Sequence, residues 1–161
     1  MPPSKSQREQ QAETLFRKTK AAIIRRQGRG PMSDVAIDNE GRALFGAHWG
    51  GVGDQNIALS PNKYYIVNTS YTPKSKGVHW VALVVGRTGV VHLYDSYARN
   101  GAHLLSTLAS RIRKNGGKGN AFSESDTTDR EQMDTSAVCG HLSLAFLVVV
   151  RELGLRQALL I

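Results

Sequence analysis

One segment constrains the fold of this chain more than any other. A helix is predicted from Ser136 or Val138 to residue 153, and it ends at Gly154, a residue typical of helix C-termini. Apolar side chains occupy almost every side of this helix, and residues 145–150 form an uninterrupted apolar run. A helix without a polar face has to be covered all round. The sequence therefore predicts a central buried helix on which the rest of the chain packs.

Other segments show periodicities typical of strands, helices and loops. Strand composition marks three of them: residues 64–69, 78–85 and 90–95. The short turn at 87–89 predicts that the last two pair as an antiparallel hairpin. Helical spacing marks three more: residues 7–26, 33–44 (capped by Ser33 or Asp34) and 102–115. Two segments read as loops, the first because it holds four glycines and the second because it is polar: residues 45–55 and 120–135.

Composition excludes several classes of protein. The 161 residues suit one domain, and 40% hydrophobic with 21% charged residues is ordinary globular usage rather than that of a disordered chain. The longest apolar run is far short of the roughly 20 residues that cross a bilayer, and residues 1–30 lack the apolar core of a signal peptide. A single cysteine excludes an internal disulfide and a Cys-rich zinc site. We therefore expect a protein of a reducing compartment that is not secreted.

The net charge of +8 is concentrated at one end of the chain. Residues 1–30 contain eight of the 21 basic residues but only two of the 13 acidic ones. The break at residues 27–31 predicts a basic, partly helical N-terminal arm (1–30) followed by the main domain (31–161). Two interpretations stay open: the apolar stripe of this helix packs on the domain, or its basic face binds nucleic acid. The candidate phosphate-binding residues are Arg17, Lys18, Lys20, Arg25 and Arg26.

The lone cysteine, Cys139, lies where the polar loop becomes the central helix. A thiolate at a helix N-terminus is stabilised by the helix dipole and by free N–H groups, although free cysteines are mostly small buried apolar residues. A nucleophilic cysteine needs a base, and the base needs a group that orients it. In the predicted hairpin, His79 begins one strand and Asp95 ends the next, so the two side chains are expected to be neighbours. Gly140 leaves the backbone open to the close approach of another chain.

Four other histidines, among them His103, and one glutamine are also available. His92 lies in mid-strand and is interpreted as a face residue, His141 as a capping or packing residue, while His48 in the glycine-rich segment stays open. Acyl transfer also needs donors for the developing oxyanion. The Gln132 amide and the Cys139 N–H are candidates, although a solvated loop residue is the simpler interpretation of Gln132.

Several stretches resemble the adenovirus-type and Ulp1-type cysteine peptidases, and most closely the adenovirus maturation proteases and their relatives in polinton-like elements and virophages. The strongest similarity is QMDTSAVCGH at residues 132–141, which resembles the Gln-x-x-x-Ser-x-x-Cys-Gly block of that family. Four further stretches add to it: PMSDVAI at 31–37, IVNT at 66–69, GVHW at 77–80 and LYDS at 93–96. The resemblance covers about residues 31–153.

The resemblance implies a fold, a reaction and a role for each site residue. The fold would be α+β and papain-like, with a mixed sheet packed against the helix that carries the cysteine. Cys139 would be the nucleophile, His79 the base, Asp95 its orienting acid and Gln132 an oxyanion donor. Trp80 would support the base and, with Gly140, contact substrate. No metal or cofactor is implied for the chemistry.

The family's biology implies substrates and partners. Its viral members cleave capsid and core precursors at Gly-rich sites inside the particle, with DNA and a viral peptide as activators. We therefore expect viral precursor polypeptides as substrates, DNA as a possible activator bound by the arm, no membrane partner, and location in a virion or in the host nucleus or cytoplasm. A chain with one cysteine cannot be disulfide-linked to a peptide activator without losing its nucleophile. Two alternatives remain: a ubiquitin-like-protein peptidase, and a non-enzymatic basic DNA-associated virion protein.

Overall fold

The computed structural model of the protein describes residues 1–69, 79–96, 107–110, 122–124 and 137–161. Its helices are α1 (Lys5–Gln27), α2 (Asp34–Phe45), α3 (Cys139–Leu153) and α4 (Leu155–Ala158), with a 3-10 helix at Gly46–His48 and a helical stretch at 107–110. Its strands are β1 (Trp49–Gly53), β2 (Lys63–Asn68), β3 (Trp80–Val85), β4 (Val91–Tyr94) and β5 (Phe122–Glu124). The chain is therefore α+β.

Helix α3 lies at the centre of the molecule, as its all-round apolar sequence predicts. Every residue from Cys139 to Val150 is buried, because the helix packs between the sheet on one side and α1 on the other. It ends at Gly154, whose N–H donates to the Val150 carbonyl at 2.8 Å and whose φ of 89° then turns the chain out of the helix. The predicted central helix and its end are confirmed.

The five strands form one mixed sheet in the order β1-β2-β3-β4-β5. The inner pairs β2–β3 and β3–β4 are antiparallel, as predicted for the hairpin, whereas the outer pairs β1–β2 and β4–β5 are parallel. Alternate residues of β3 face opposite sides: Ala82 packs in the core cluster of α3, and Leu83 packs in a second cluster that includes Leu108. The sheet is therefore covered on both faces at β3.

Helix α1 is part of the main core. Ser4 caps it, accepting from the Gln7 N–H at 3.1 Å, while the Gln7 side chain accepts from the Ser4 N–H. Its apolar stripe, including Phe16 and Ile23, is buried in the same cluster as α3. The packing interpretation of this stripe is confirmed. The boundary between residues 30 and 31 stays a prediction, and α1 shares one core with α3.

The loop predicted at residues 45–55 is wrong in part, because this segment contains the 3-10 helix and strand β1. Its glycines make room for aromatic rings from elsewhere in the fold. A Cβ atom on Gly50 would lie 2.3 Å from the Tyr65 ring, and Gly51 has a φ of 133° where the β1–β2 register shifts. The strand exists because β2 supplies its partner, which local composition does not show.

Two other predicted segments lie only partly within the described residues. Residues 122–124 form β5 rather than the polar loop predicted for 120–135. The helix predicted at 102–115 is helical over 107–110, and the rest of it lies outside the described residues.

Candidate active site

The ends of two neighbouring strands bring His79 and Asp95 together. His79 directly precedes β3 and Asp95 directly follows β4, and the antiparallel register pairs Ala82 with Tyr94. The imidazole Nε2 of His79 contacts Oδ1 of Asp95, whose side chain is only 1% exposed. The predicted proximity of these side chains is therefore confirmed. A buried carboxylate at Nε2 fixes the orientation of the ring and favours its protonated form.

Cys139 meets the same imidazole from the first residue of α3. Its thiol is hydrogen-bonded to the His79 side chain. The backbone N–H of Trp80 also donates to Cys139 Sγ, at 3.4 Å. The described residues thus place a thiol and a carboxylate in contact with the same imidazole.

The surroundings of Cys139 and His79 favour a thiolate and an imidazolium. Burial raises the pKa of Cys139, but the hydrogen bond with His79 and the N–H groups of Trp80 and Gly140 bring it below its ordinary value. Burial lowers the pKa of His79, but its hydrogen bonds with Asp95 and Cys139 bring it above its ordinary value. Both shifts stabilise thiolate and imidazolium together. Such a pair is an activated nucleophile with an acid beside it.

Trp80 and Gly140, predicted to contact substrate, pack inside the protein. The Trp80 indole is 6% exposed and donates from Nε1 to the Met32 carbonyl at 3.1 Å. A Cβ atom on Gly140 would lie 3.3 Å from Met32 Cβ and 3.4 Å from Ile37 Cδ1. The chain that approaches Gly140 closely is thus this protein's own segment after α1. These contacts agree with a supporting role for Trp80, and substrate contact by either residue stays a prediction.

Three other histidines, His48, His92 and His141, lie within the described residues, and His103 lies outside them. His141 is buried and its Nε2 lies 2.8 Å from the Gly28 carbonyl, so it packs α3 against the end of α1, as predicted. His48 is exposed beside Asn62, which precedes β2, whereas His79 lies beside the other end of that strand. His92 lies within β4 with burial lowering its pKa. His79 is thus the described histidine in contact with Cys139.

The predicted phosphate-binding residues differ in their surroundings. Arg17, Lys18 and Arg25 are exposed on α1, and Lys20 is half-buried. Arg26 instead forms two hydrogen bonds with the buried Glu40 carboxylate, at 2.9 and 2.8 Å. This pair links α1 to α2 and leaves the Arg26 side chain 49% exposed, so its contact with a polyanion stays a prediction. Sequence spacing gives no sign of a pairing between helices.

Removing the Glu40 charge tests this link between helices. Glu40→Gln leaves Arg26 without its carboxylate, and we expect a loss of about 1–2 kcal/mol, seen as a Tm lower by about 2–8 °C. Arg26 holds the pKa of Glu40 below its ordinary value. The stabilisation is therefore present above the unfolded value of about 4.3 and lost as pH falls through the lower folded value.

The control for this experiment is Glu13→Gln, which removes a half-buried carboxylate 3.6 Å from the exposed Arg17 within α1. We expect it to change the Tm by less than about 1 °C, because such surface pairs contribute little. Equal effects of the two variants at pH 7 would contradict a structural role for the Glu40 pair.

Sequence reasoning did not predict the hydrogen bonds of Gln55 or the hydrogen bond between Thr69 and His79. Gln55 is fully buried; its Nε2 donates to the Thr69 carbonyl at 3.2 Å and its Oε1 accepts from the N–H groups of Thr107 and Leu108. Thr69 in turn donates to the His79 carbonyl at 3.0 Å. Nothing in the local sequence around Gln55 indicates that its side chain links these main-chain groups. Gln132, predicted as an oxyanion donor, lies outside the described residues.

Neither a metal site nor a membrane span is found in the part of the chain that the structure describes. These residues contain no group of three or more His, Cys, Asp or Glu side chains placed to hold a metal ion. Among the described helices, none combines the length and apolar character needed to cross a membrane.

Comparison with protein-family models and with curated proteins finds no match for this chain.

Proposed function

We propose that this protein is a cysteine endopeptidase with a papain-like fold of the adenovirus and Ulp1 type. The observation that carries the proposal is the contact of one imidazole, His79, with a buried carboxylate on one side and the thiol of Cys139 on the other. These are the parts that thiol-dependent acyl transfer requires. The mixed sheet packed against the helix that begins at Cys139 is compatible with the same fold.

The reaction proceeds in two halves. The Cys139 thiolate attacks the scissile carbonyl carbon, and the carbonyl electrons move onto oxygen. As the tetrahedral intermediate collapses, the C–N bond breaks, and His79 gives its proton to the leaving amine, which leaves a thioester on Cys139. His79, now neutral, removes a proton from water, and the resulting hydroxide attacks the thioester carbonyl. Collapse releases the carboxylic acid and restores the thiolate and imidazolium.

The proposed substrates are precursor polypeptides of a virus-like particle, cut at Gly-rich sites. The sequence resemblance supports this class. The assay is release of a fluorophore from a Gly-Gly peptide, together with mass-spectrometric detection of an adduct on Cys139 after treatment with a Gly-Gly peptide that ends in an electrophile. Release with an adduct supports the proposal, and absence of both overturns it. Preferential reaction with an electrophilic ubiquitin or SUMO probe would favour the ubiquitin-like-protein peptidase instead.

Gln132 has a separate test, because its proposed role is electrostatic. Gln132→Ala removes an amide donor to the developing oxyanion, and we expect kcat to fall by about 10²–10³ with little change in KM. Gln132→Glu tests the same donor, since the carboxylate cannot stabilise an oxyanion. A loss of kcat below tenfold in the alanine variant would remove Gln132 from this role.

DNA is the proposed polyanionic partner of α1. The support is the charge of residues 1–30 together with the exposure of Arg17, Lys18 and Arg25 on the surface of a packed helix. Binding of this kind releases counterions, so its affinity depends on salt.

The triple variant Arg17→Gln, Lys18→Gln and Arg25→Gln tests this partner. We expect it to weaken binding to duplex DNA and to reduce the slope of log K against log salt by about three, if each residue contacts one phosphate. The control is Arg151→Gln, an exposed residue of α3 that is paired with Glu152. An unchanged slope in the triple variant would mean that α1 does not carry DNA binding.

A further inference from the structure

The main chain of Trp80 is oriented by its pairing with β2. Trp80 lies opposite Asn68, and the adjacent Thr69 N–H donates to the His79 carbonyl at 3.0 Å. In an antiparallel pair the hydrogen-bonding groups of successive residues point to alternate sides of the strand. Because the His79 carbonyl points toward β2, the N–H and C=O groups of Trp80 point away from β2, toward the side of β3 on which β4 lies.

Helix α3 meets both of these groups. Within residues 79–96 the β3–β4 ladder ends at the pairing of Ala82 with Tyr94, one step before Trp80 on that side. The Trp80 N–H donates to Cys139 Sγ at 3.4 Å, and the Trp80 carbonyl accepts from Ser143 Oγ at 3.2 Å. Cys139 and Ser143, one helical turn apart, thus make the hydrogen bonds to the Trp80 main chain that a longer β4 would otherwise make.

Ser143 makes this contact in place of a bond within its own helix. A serine inside a helix commonly donates to the carbonyl four residues earlier, which here is that of Cys139. Ser143 is fully buried, and its hydroxyl instead donates to the strand. A buried hydroxyl and a buried carbonyl that satisfy each other fix the position of one element against the other.

We infer that Ser143 is a positioning residue for the nucleophile, acting through Trp80. Its hydroxyl holds the Trp80 carbonyl, and this keeps the Trp80 N–H directed at Cys139 Sγ. Since an N–H donor stabilises the thiolate, loss of the Ser143 hydroxyl raises the pH at which Cys139 ionises. The role in turnover rests on the proposed peptidase function, whereas the effect on thiol ionisation does not.

The test is the pH dependence of Cys139 alkylation by iodoacetamide in the full chain, which reports the thiolate without requiring turnover. Ser143→Val and Ser143→Thr have nearly the same shape, but only threonine keeps the hydroxyl. We expect the alkylation midpoint of the valine variant to lie higher by about half a pH unit or more, and that of the threonine variant to stay near the parent protein. Equal midpoints in the two variants would overturn the inference.

Two further measurements separate this effect from general loss of stability and from peptidase activity. Val149→Ala removes buried apolar contacts of the same helix and leaves the hydroxyl of Ser143 in place, so it should lower the Tm and leave the midpoint unchanged. A shift in Val149→Ala equal to that in Ser143→Val would overturn the inference. If the Ser143→Val shift is found but no peptide is cleaved, the positioning of the thiol stands and the proposed function fails.

Discussion

Replacing Cys139 with alanine is expected to abolish peptide hydrolysis, with kcat lower by about 10⁶-fold. The thiol is the only one in the sequence, and no group in the proposed reaction can take over the bond to the acyl carbon. The measurement is fluorophore release from the Gly-Gly peptide, with and without DNA. Alanine fills most of the same buried space, so the circular dichroism and Tm of the variant should stay close to those of the parent protein.

Cys139→Ser supplies the control for shape. Serine keeps the size and hydrogen-bonding capacity of the side chain, but its hydroxyl does not ionise in the range of a thiol, so the stable charged pair with His79 is lost. We expect this variant to bind peptide with a KM or Kd like that of the parent and to turn over at a rate near background. Retained hydrolysis in either variant would refute a cysteine mechanism.

Replacing Asp95 with asparagine is expected to lower kcat/KM by about 10³–10⁴-fold. The neutral amide cannot stabilise the imidazolium, and it favours the wrong tautomer of His79. Since Asp95 raises the pKa of His79, its removal lowers that pKa, and the alkaline limb of the pH–rate profile moves to lower pH. Loss of the imidazolium also raises the pKa of Cys139, so the acidic limb moves to higher pH. The profile should therefore be narrower as well as lower.

Asp38→Asn is the matched control for Asp95. Asp38 is another hydrogen-bonded carboxylate, accepting from Trp49 Nε1 at 2.9 Å and pairing with Arg42 on α2. Its neutralisation should alter stability only, with kcat and the shape of the pH profile unchanged. If Asp38→Asn and Asp95→Asn lowered kcat equally, the effect of Asp95 would be one of stability rather than of His79 chemistry.

Local sequence patterns predicted the elements that depend on local chemistry. The all-round apolar run and Gly154 predicted α3, and a short turn between two apolar stretches predicted the β3–β4 hairpin. The contact of His79 with Asp95 follows from that hairpin, because its geometry fixes which strand ends are neighbours. Strand β1 could not be predicted, since Gly50 makes room for the ring of Tyr65 on β2, which only the tertiary fold brings near.

Hydrogen bonds and ion pairs between residues far apart in the sequence could not be predicted either. In the sequence, Arg26 is one basic residue among many. Only the packing of α1 on α2 shows that its guanidinium pairs with the Glu40 carboxylate. The roles of Gln55 and Ser143 depend on main-chain groups whose directions are set by the sheet. Gln132 stays a prediction that rests on resemblance.

The packing of α1 against α3 has a consequence for the order in which the protein is made. These helices hold each other in the core, and His141 meets Gly28 across 113 positions of sequence. The entropy of closing so long a loop is lost before the contact can stabilise the fold. Folding is therefore slower than it would be with local contacts. A ribosome delivers α1 before α3, so an emerging chain lacks its thiol until synthesis has passed residue 139 and lacks its complete central helix until synthesis has passed residue 153. Under the proposed function, such a chain cannot cleave other polypeptides until the segment that carries Cys139 has been translated.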